Sequence, residues 1–280
     1  MTTEKSRSAA GPPLLVTRPS PGIVVATLNR PHRRNALTED SFRMLAELCA
    51  GLRTDPRARV LVLDGAGDSF SSGYDIDEIG RIAALPPPDL LDLLERHAEA
   101  VTGLRALPQA VLVAADGASA GAGLSLALAA DIRVSTTRAF FQASFVSVGL
   151  SGGDMGASWL LPRVTSFGFA NEMMLTGRSV PAAEAYAHGL VNRLTSPEDL
   201  RPAALALAGE IAGNSPTAVA LTKRVLQANV DAPSLEDALA REAPLQVVAA
   251  GSAPVRRAVA AFRARRAGRE TTPNPEERHP

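Results

Sequence analysis

Phe70-Ser71-Ser72-Gly73-Tyr74-Asp75 and Asp116-Gly117-Ala118-Ser119-Ala120-Gly121-Ala122-Gly123 are the two stretches on which the reading of this chain turns. Each follows a short apolar run, residues 60–63 and 111–115, with the length and composition of a buried strand. The second stretch opens a segment, 117–130, that starts glycine-rich and becomes helical. Small residues let a backbone approach a ligand closely, and N–H groups at a helix start carry partial positive charge. Two such segments can aim two N–H donors at one carbonyl oxygen and so stabilise an enolate or a tetrahedral oxyanion. From the residues alone they also read as an ordinary pair of tight strand-to-helix connections, because short glycine motifs are weakly specific.

Outward from these stretches, residues 14–16 and Ile23–Leu28 read as strands joined by the turn Pro19-Ser20-Pro21-Gly22. Thr38 is a good N-cap, with Glu39 and Asp40 favourable in the first turn of a helix whose apolar positions are Phe42, Leu45, Leu48, Cys49 and Leu52. Residues 90–107 read as a helix entered after Pro86-Pro87-Pro88, and 132–135 as a further strand. Strands alternate with helices to about Ser196, which predicts an α/β layered core. From Pro197 the pattern is helical throughout, over 200–211, 217–228, 235–249 and 255–267. Several of these helices are apolar on more than one face, so they are expected to pack on the core or on another subunit. The chain therefore divides into a disordered start (1–12), a core (13–196), a helical region (197–268) and a Pro- and Glu-rich tail (269–280) expected to be disordered.

The 280 residues are nearly half apolar, enough for a sizeable core. Lys and Arg (29) balance Asp and Glu (29), so nucleic acid and anionic membrane are poor partners. One cysteine, Cys49, excludes an intrachain disulfide and reads as a buried thiol. The apolar stretches are interrupted short of membrane-spanning length, and Met1 to Pro13 carries no signal-peptide apolar region. A cytoplasmic protein is expected.

Several further segments, in order and at compatible spacing, make the chain resemble the enoyl-CoA hydratase/isomerase (crotonase) family over roughly residues 14–265. Leu28-Asn29-Arg30-Pro31-His32-Arg33-Arg34-Asn35-Ala36-Leu37 is similar to that family's first CoA-binding segment. Residues 60–75 resemble its strand, GAG turn and first oxyanion loop, and 116–133 its second oxyanion loop and the segment after it. Residues 149–163, Met174-Leu175-Thr176-Gly177-Arg178 and Gly189-Leu190-Val191-Asn192 continue the match. The resemblance implies an α/β crotonase-type spiral of repeated ββα units, followed by a C-terminal helical trimerisation region. The implied partners are an acyl-CoA thioester and further copies of the chain, as a homotrimer or a dimer of trimers. No cofactor is implied beyond the coenzyme A of the substrate, and no metal.

By the same resemblance the oxyanion N–H donors fall on Ser72 and Ala122. The family usually has Gly at the second position, where Ala costs little if φ is negative and more if it is positive. The CoA moiety is expected to meet Arg33, Arg34, Ala36, Ser72, Asp75 and Ile76, with Arg33 and Arg34 on its phosphates. Either arginine also reads as plain solvated charge. Phe262 and Arg265 match positions that in relatives touch CoA on a neighbouring subunit, and equally suit helix packing and solvent contact. Tyr74, Gly121, Ser125 and Phe145 are expected at the acyl pocket. Asp75 also reads as the cap of the next helix, and Asp131 as structural. His97, near but out of register with the histidine of the family's dehalogenases, reads as a surface or packing residue.

The chain departs from the family in its acid–base residues. The two glutamates of a typical hydratase fall on Ser125 and Phe145. Serine without an activating partner is a poor base, and phenylalanine transfers no proton. Asp154, in Gly152-Gly153-Asp154-Met155-Gly156, resembles the aspartate of dienoyl-CoA isomerases, of some acyl-CoA hydrolases and of chlorobenzoyl-CoA dehalogenase. It is the expected proton carrier, and it also suits a helix cap. The expected activity is that of a hydratase or isomerase. Thioester hydrolysis, dienoyl-CoA isomerisation and silent acyl-CoA binding are the alternatives.

Overall fold

The computed structural model describes residues 11–270, apart from the side chains of Ala258 and 265–270. The segments expected at the two ends therefore lie mostly outside the described residues. Pro12 and Pro13 are an exception: their carbonyls accept from the Asn29 side-chain amide and the Asn29 N–H, at 3.1 and 2.8 Å. The chain forms two compact units, divided between Gly213 and Asn214.

The first unit is built on a six-stranded sheet in the order β1-β2-β3-β4-β6-β9. Its strands are β1 (Leu14–Ser20), β2 (Ile23–Leu28), β3 (Val60–Gly65), β4 (Ala110–Ala115), β6 (Ile132–Thr136) and β9 (Arg193–Thr195). β1 and β2 form an antiparallel hairpin, and all other neighbours are parallel. β2, β3 and β4 are almost entirely buried, as parallel strands covered on both faces must be. Three short strands, β5 (Ala118–Ala120), β7 (Phe140–Gln142) and β8 (Ser179–Pro181), make a second sheet in the order β5-β7-β8.

The ββα repeat follows from this topology. β4 enters the large sheet, β5 enters the small one, and helix α4 (Ala122–Ala129) closes the turn. β6 and β7 repeat the path before α5 (Ala157–Val164). The turn before them is abbreviated: β3 is followed by two isolated parallel bridges, Ser71 to Ser119 and Tyr74 to Leu37, and then by α2 (Ile76–Ala83). The repeat is structural, with no matching repeat in the residues.

Helix starts follow local chemistry. α1 (Glu39–Arg53) begins with a capping box in which Thr38 and Ser41 each bond the other's backbone N–H. α3 (Pro87–Ala106) begins three residues earlier than the sequence suggested. Pro87 and Pro88 lie inside its first turn, where a missing N–H costs nothing. α1 and α3 pack on each other, and α3 buries Leu93, His97, Ala100, Val101 and Leu104 at helical spacing.

The expected boundary at Ser196 does not divide the units. α8 (Leu200–Ala212) packs on β2, β3, β4 and β6 through Leu200, Ala204, Leu207 and Ala208. Arg201 reaches Asp64 at 3.0 Å, and Arg59 donates to the Ala212 carbonyl at 2.7 Å. The change to helix after Pro197 is thus a change of local structure while the same core continues. α6 (Phe167–Thr176) and α7 (Ala182–Ala187) follow, and among the described residues of the first unit Arg133 on β6 is a buried cation. Its guanidinium donates to the carbonyls of Leu190, Ala130 and Ala127 at 2.6, 2.8 and 3.4 Å. Those bonds tie the end of α4 to β6 and to the segment before β9.

The second unit contains α9 (Pro216–Asn229), α10 (Leu235–Ala250) and α11 (Ala253–Glu270). α9 packs on α10, and α10 on α11. Many of its large apolar side chains are exposed, among them Leu226, Val230, Leu235, Val247, Val248 and Phe262. Among the described residues, no helix is long and apolar enough to cross a membrane.

Candidate active site

The loops after β3 and β4 lie side by side at the carboxyl ends of neighbouring parallel strands. Ser71 accepts from the Ala120 N–H at 3.0 Å and donates its own N–H to the Ala118 carbonyl at 2.8 Å. Beyond that bridge the two backbones come closer than side chains permit. A Cβ at Gly73, whose φ is +93°, would stand 2.7 Å from the Ala120 oxygen and 3.4 Å from the Ala122 nitrogen. Gly121 has φ 51° and ψ −123°, a conformation open essentially to glycine alone. Its N–H goes to the Gln142 carbonyl at 2.9 Å.

Ala122 is the first residue of α4, so its N–H has no acceptor within the helix. It is not among the residues with positive φ, which removes the concern about alanine at this position. Ser72 differs from expectation. Its N–H donates to the Arg34 carbonyl at 2.9 Å, and its hydroxyl reaches the Arg33 carbonyl at 3.4 Å. The Ser72 N–H is therefore spent on the Arg33-Arg34 turn. The neighbouring amides are also engaged: Gly73 N–H meets the Ser71 hydroxyl at 3.2 Å, and Asp75 N–H the Leu37 carbonyl at 2.9 Å. Tyr74, placed by the sequence only as a pocket wall, has the one main-chain N–H from Ser71 to Asp75 without an acceptor. The signal that points to it is Gly73: a left-handed residue reverses the direction of the amide that follows.

The side chains around this pair are a mixed set. Ser125 and Phe145 are both buried. Where a Gly121 Cβ would stand, the Ser144 hydroxyl lies at 3.2 Å and the Phe145 ring at 4.0 Å. The Ser125 hydroxyl reaches the Asp154 carbonyl at 3.5 Å, the limit of a hydrogen bond. Asp154 does not cap α5 with its side chain: the N-cap is Gly156, and only the Asp154 carbonyl serves the helix, accepting from Ala157 N–H at 3.0 Å. Met155 and Gly156, at φ 46° and 76°, turn the chain sharply after Asp154. Burial raises the Asp154 carboxyl above the ordinary carboxylate range, opposed by the Met155 N–H and the Tyr74 hydroxyl. A carboxyl so placed holds its proton more readily than an exposed one, which suits a group that accepts and returns a proton.

The expected CoA-binding residues gather beside the first loop. Arg33 and Arg34 are exposed, and Arg33 makes a 3.5 Å ion pair with Asp77. Arg34 and Asn35 are left-handed, at φ 50° and 54°, and the Asn35 amide holds the turn on the Ala66 and Ser69 carbonyls at 2.8 and 2.7 Å. Ala36 is buried, and its carbonyl accepts from Arg30 at 2.7 Å. Asp75 caps α2 by accepting from Asp77 N–H at 3.0 Å, and it pairs with Arg30 at 2.7 Å. Burial works to raise the Asp75 carboxyl, but Arg30 and the Asp77 N–H outweigh it and hold it below the usual range. Its carboxylate is thus committed to the fold, while Ile76 stands exposed beside it. Phe262 is exposed on α11, and the Arg265 side chain lies outside the described residues.

His97 is a packing residue. It stacks on Phe42 with ring centroids 4.2 Å apart, and Tyr74 lies 5.3 Å from Phe42 and 5.6 Å from His97. Its side chain is 2% exposed and neither ring nitrogen has a hydrogen-bond partner. Burial lowers its proton affinity to about 4, against a partial opposing pull from Glu39. The unfolded chain takes up this proton as pH falls through about 6.5, while the folded chain resists it to about 4. Stability is therefore undiminished above 6.5 and lost progressively between there and 4. We expect His97→Phe, which keeps the stacking, to reduce the stability difference between pH 7 and pH 4.5 by about 2 kcal/mol. Urea unfolding at the two values measures it, and an unaltered difference contradicts it.

Residues 18–269 match the family model described as Enoyl-CoA hydratase/isomerase. The chain is 42% identical over 227 residues to a probable enoyl-CoA hydratase from Mycobacterium bovis, covering 80% of each. It is 34% identical over 246 residues to the 1,2-epoxyphenylacetyl-CoA isomerase of Escherichia coli, covering 88% of this chain and 93% of that one. A crystal structure of a candidate enoyl-CoA hydratase from Streptomyces coelicolor superimposes with a TM-score of 0.87 at 37% identity, covering 94% and 97% of the two chains. With its layered sheets, glycine-mediated loop contact and these relatives, the chain belongs to the enoyl-CoA hydratase/isomerase family of enzymes.

Proposed function

We propose that the chain binds an acyl-CoA thioester, polarises its carbonyl with the N–H groups of Tyr74 and Ala122, and moves a proton along the acyl chain with Asp154. The observation that carries this reading is the half-buried Asp154, whose carbonyl meets the Ser125 hydroxyl at 3.5 Å and whose carboxyl is pushed up in proton affinity by its burial. Two N–H donors on the thioester oxygen stabilise the enolate and make the adjacent C–H more acidic. Asp154 takes a proton from one carbon and returns it to another, so the double bond shifts with no atom gained or lost. That chemistry needs no redox cofactor and no metal. Isomerisation suits the site better than hydration, since Ser125 and Phe145 offer no second carboxylate to activate water. The similarity to the Delta(3,5)-Delta(2,4)-dienoyl-CoA isomerase of Rattus norvegicus, 36% identical over 214 residues, supports the same choice.

Crotonyl-CoA and a 3,5-dienoyl-CoA are the probes, followed by enoyl absorbance and by free thiol. A chromophore change without thiol release supports isomerase or hydratase chemistry. Thiol release instead assigns Asp154 to thioester hydrolysis, and binding without turnover assigns the chain to silent acyl-CoA binding. Asp154→Asn is expected to fold and bind acyl-CoA as the parent does but to lose turnover on the order of a hundredfold. Full activity in that variant overturns the assignment.

Arg33 and Arg34 are read as the phosphate contacts of CoA, with Ala36 and Ile76 beside them. Replacing both arginines by Ala is expected to weaken acyl-CoA binding on the order of tenfold and to flatten its dependence on salt. Calorimetric titration at two ionic strengths checks this, and unchanged affinity moves the phosphate site elsewhere. The exposed apolar residues of α9, α10 and α11 support assembly of the chain with further copies, read here as a homotrimer or a dimer of trimers, and the cytoplasm is the compartment proposed for it. Light scattering is expected to give three or six times the mass of the chain, and a monomer at all concentrations contradicts it.

A further inference from the structure

α2 begins two residues after Tyr74, and none of its residues is buried. Ile79 and Ile82 are half-buried, and Ile76 is exposed. Ion pairs fasten the helix to its neighbours at both ends. At its rear, Arg81 bonds Glu39 of α1 at 2.7 Å and meets Glu78 of its own helix at 2.7 Å. At its front, Asp77 pairs with Arg33 at 3.5 Å, and both side chains are exposed. The cap, Asp75, is tied to Arg30. An exposed pair of this kind biases an equilibrium by no more than about fivefold. An element with few buried side chains and such fastenings opens easily. Arg33 and Arg34 are both exposed, yet they differ: among the described residues no acid is paired with Arg34, whereas Asp77 holds Arg33.

We propose that α2 is a strap latched to Arg33 by Asp77, and that the phosphate groups of CoA unlatch it by taking Arg33. This rests on the reading of Arg33 and Arg34 as the phosphate contacts. Arg34 is open to the first phosphate oxygens, and Arg33 follows once Asp77 lets go. A phosphate can meet the guanidinium in two short charge-assisted bonds, whereas Asp77 makes one approach at the outer limit of a hydrogen bond. The exchange also leaves Asp77 beside a like charge, which drives the front of α2 away. Arg81 and Glu39 keep the rear attached while the front moves. The donor loop is bonded to the same turn through the main chain, from Ser72 N–H to the Arg34 carbonyl at 2.9 Å, so it stays in place while side chains exchange partners. The coupling is reciprocal: if CoA favours the unlatched strap, whatever unlatches the strap favours CoA.

Arg81→Gln is the sharpest test, because it removes a cation. Diffuse attraction alone predicts that the variant binds the CoA polyanion more weakly. The strap predicts tighter binding, by up to about fivefold, because the rear pair no longer helps to hold α2 down. Asp77→Asn is expected to tighten CoA binding by about two- to fivefold, and the gain is expected to vanish in an Arg33→Ala background. Calorimetric titration with CoA itself, free of any acyl group, reads each variant. Hydrogen exchange reads the strap. Amides of α2 in the parent are expected to exchange about two- to fivefold faster with CoA bound, and those of Asp77→Asn to be fast already and unresponsive to CoA. Weaker CoA binding by Arg81→Gln, or slower α2 exchange with CoA bound, overturns the proposal. A gain from Asp77→Asn that persists without Arg33 makes Asp77 a distant repelling charge and overturns it too. If Arg33→Ala weakens CoA binding while Arg81→Gln and Asp77→Asn leave it unchanged, the phosphate reading stands and the strap falls. If Arg33→Ala binds CoA as the parent does, both fall.

Discussion

Two backbones touching without side chains between them is the constraint on which the site depends. At Gly73 a single added carbon would meet the Ala120 oxygen at 2.7 Å, and at Gly121 the conformation itself excludes other residues. The contact brings the loops after β3 and β4 together at the position where an open parallel sheet offers its ligand edge, the carboxyl ends of its strands. Once Gly73 and Gly121 lie against each other, the amides of Tyr74 and Ala122 are the ones left over. The other N–H groups from Ser71 to Asp75 are engaged, with Ala118, Arg34, the Ser71 hydroxyl and Leu37.

The rest of the first unit holds these loops still. β2, β3 and β4 form a buried parallel platform, and α8 covers it from a part of the sequence that looks like an appendage. Arg133 clamps the far end of α4, whose near end carries Ala122, by binding three carbonyls from two segments. Asp75 and Arg30 do the same for the start of α2. Charge inside this unit is thus placed where it fastens the ends of helices that border the site.

Much of this was legible in the residues. Alternating strands and helices, the Thr38 cap, the Asp75 cap and the two glycine loops can all be read because each depends on local chemistry. The engaged N–H of Ser72, expected to be a free donor, shows the limit of that reading. Ser72 and Tyr74 are two residues apart in one loop, and the choice between them depends on the Arg34 carbonyl, which approaches from a distant turn. β5, β7 and β8 have three residues each, too few for a pattern of period two to register. α8 reads as the start of a helical appendage because its apolar stripe names no partner. His97 gave no sign of burial, since its place depends on the facing side of α1.

The two N–H groups proposed to bind a carbonyl both belong to the main chain, and this has a consequence for what mutation can do here. A side-chain substitution cannot delete an amide; only proline removes the N–H itself. The proposed grip on a thioester oxygen would therefore be insensitive to most changes at Tyr74 and Ala122, so long as the two glycines persist. The acid–base residues have no such protection, and at Ser125 and Phe145 this chain carries none. A scaffold with this division of labour can lose one reaction, keep its hold on the same kind of molecule, and acquire another through a single well-placed carboxylate.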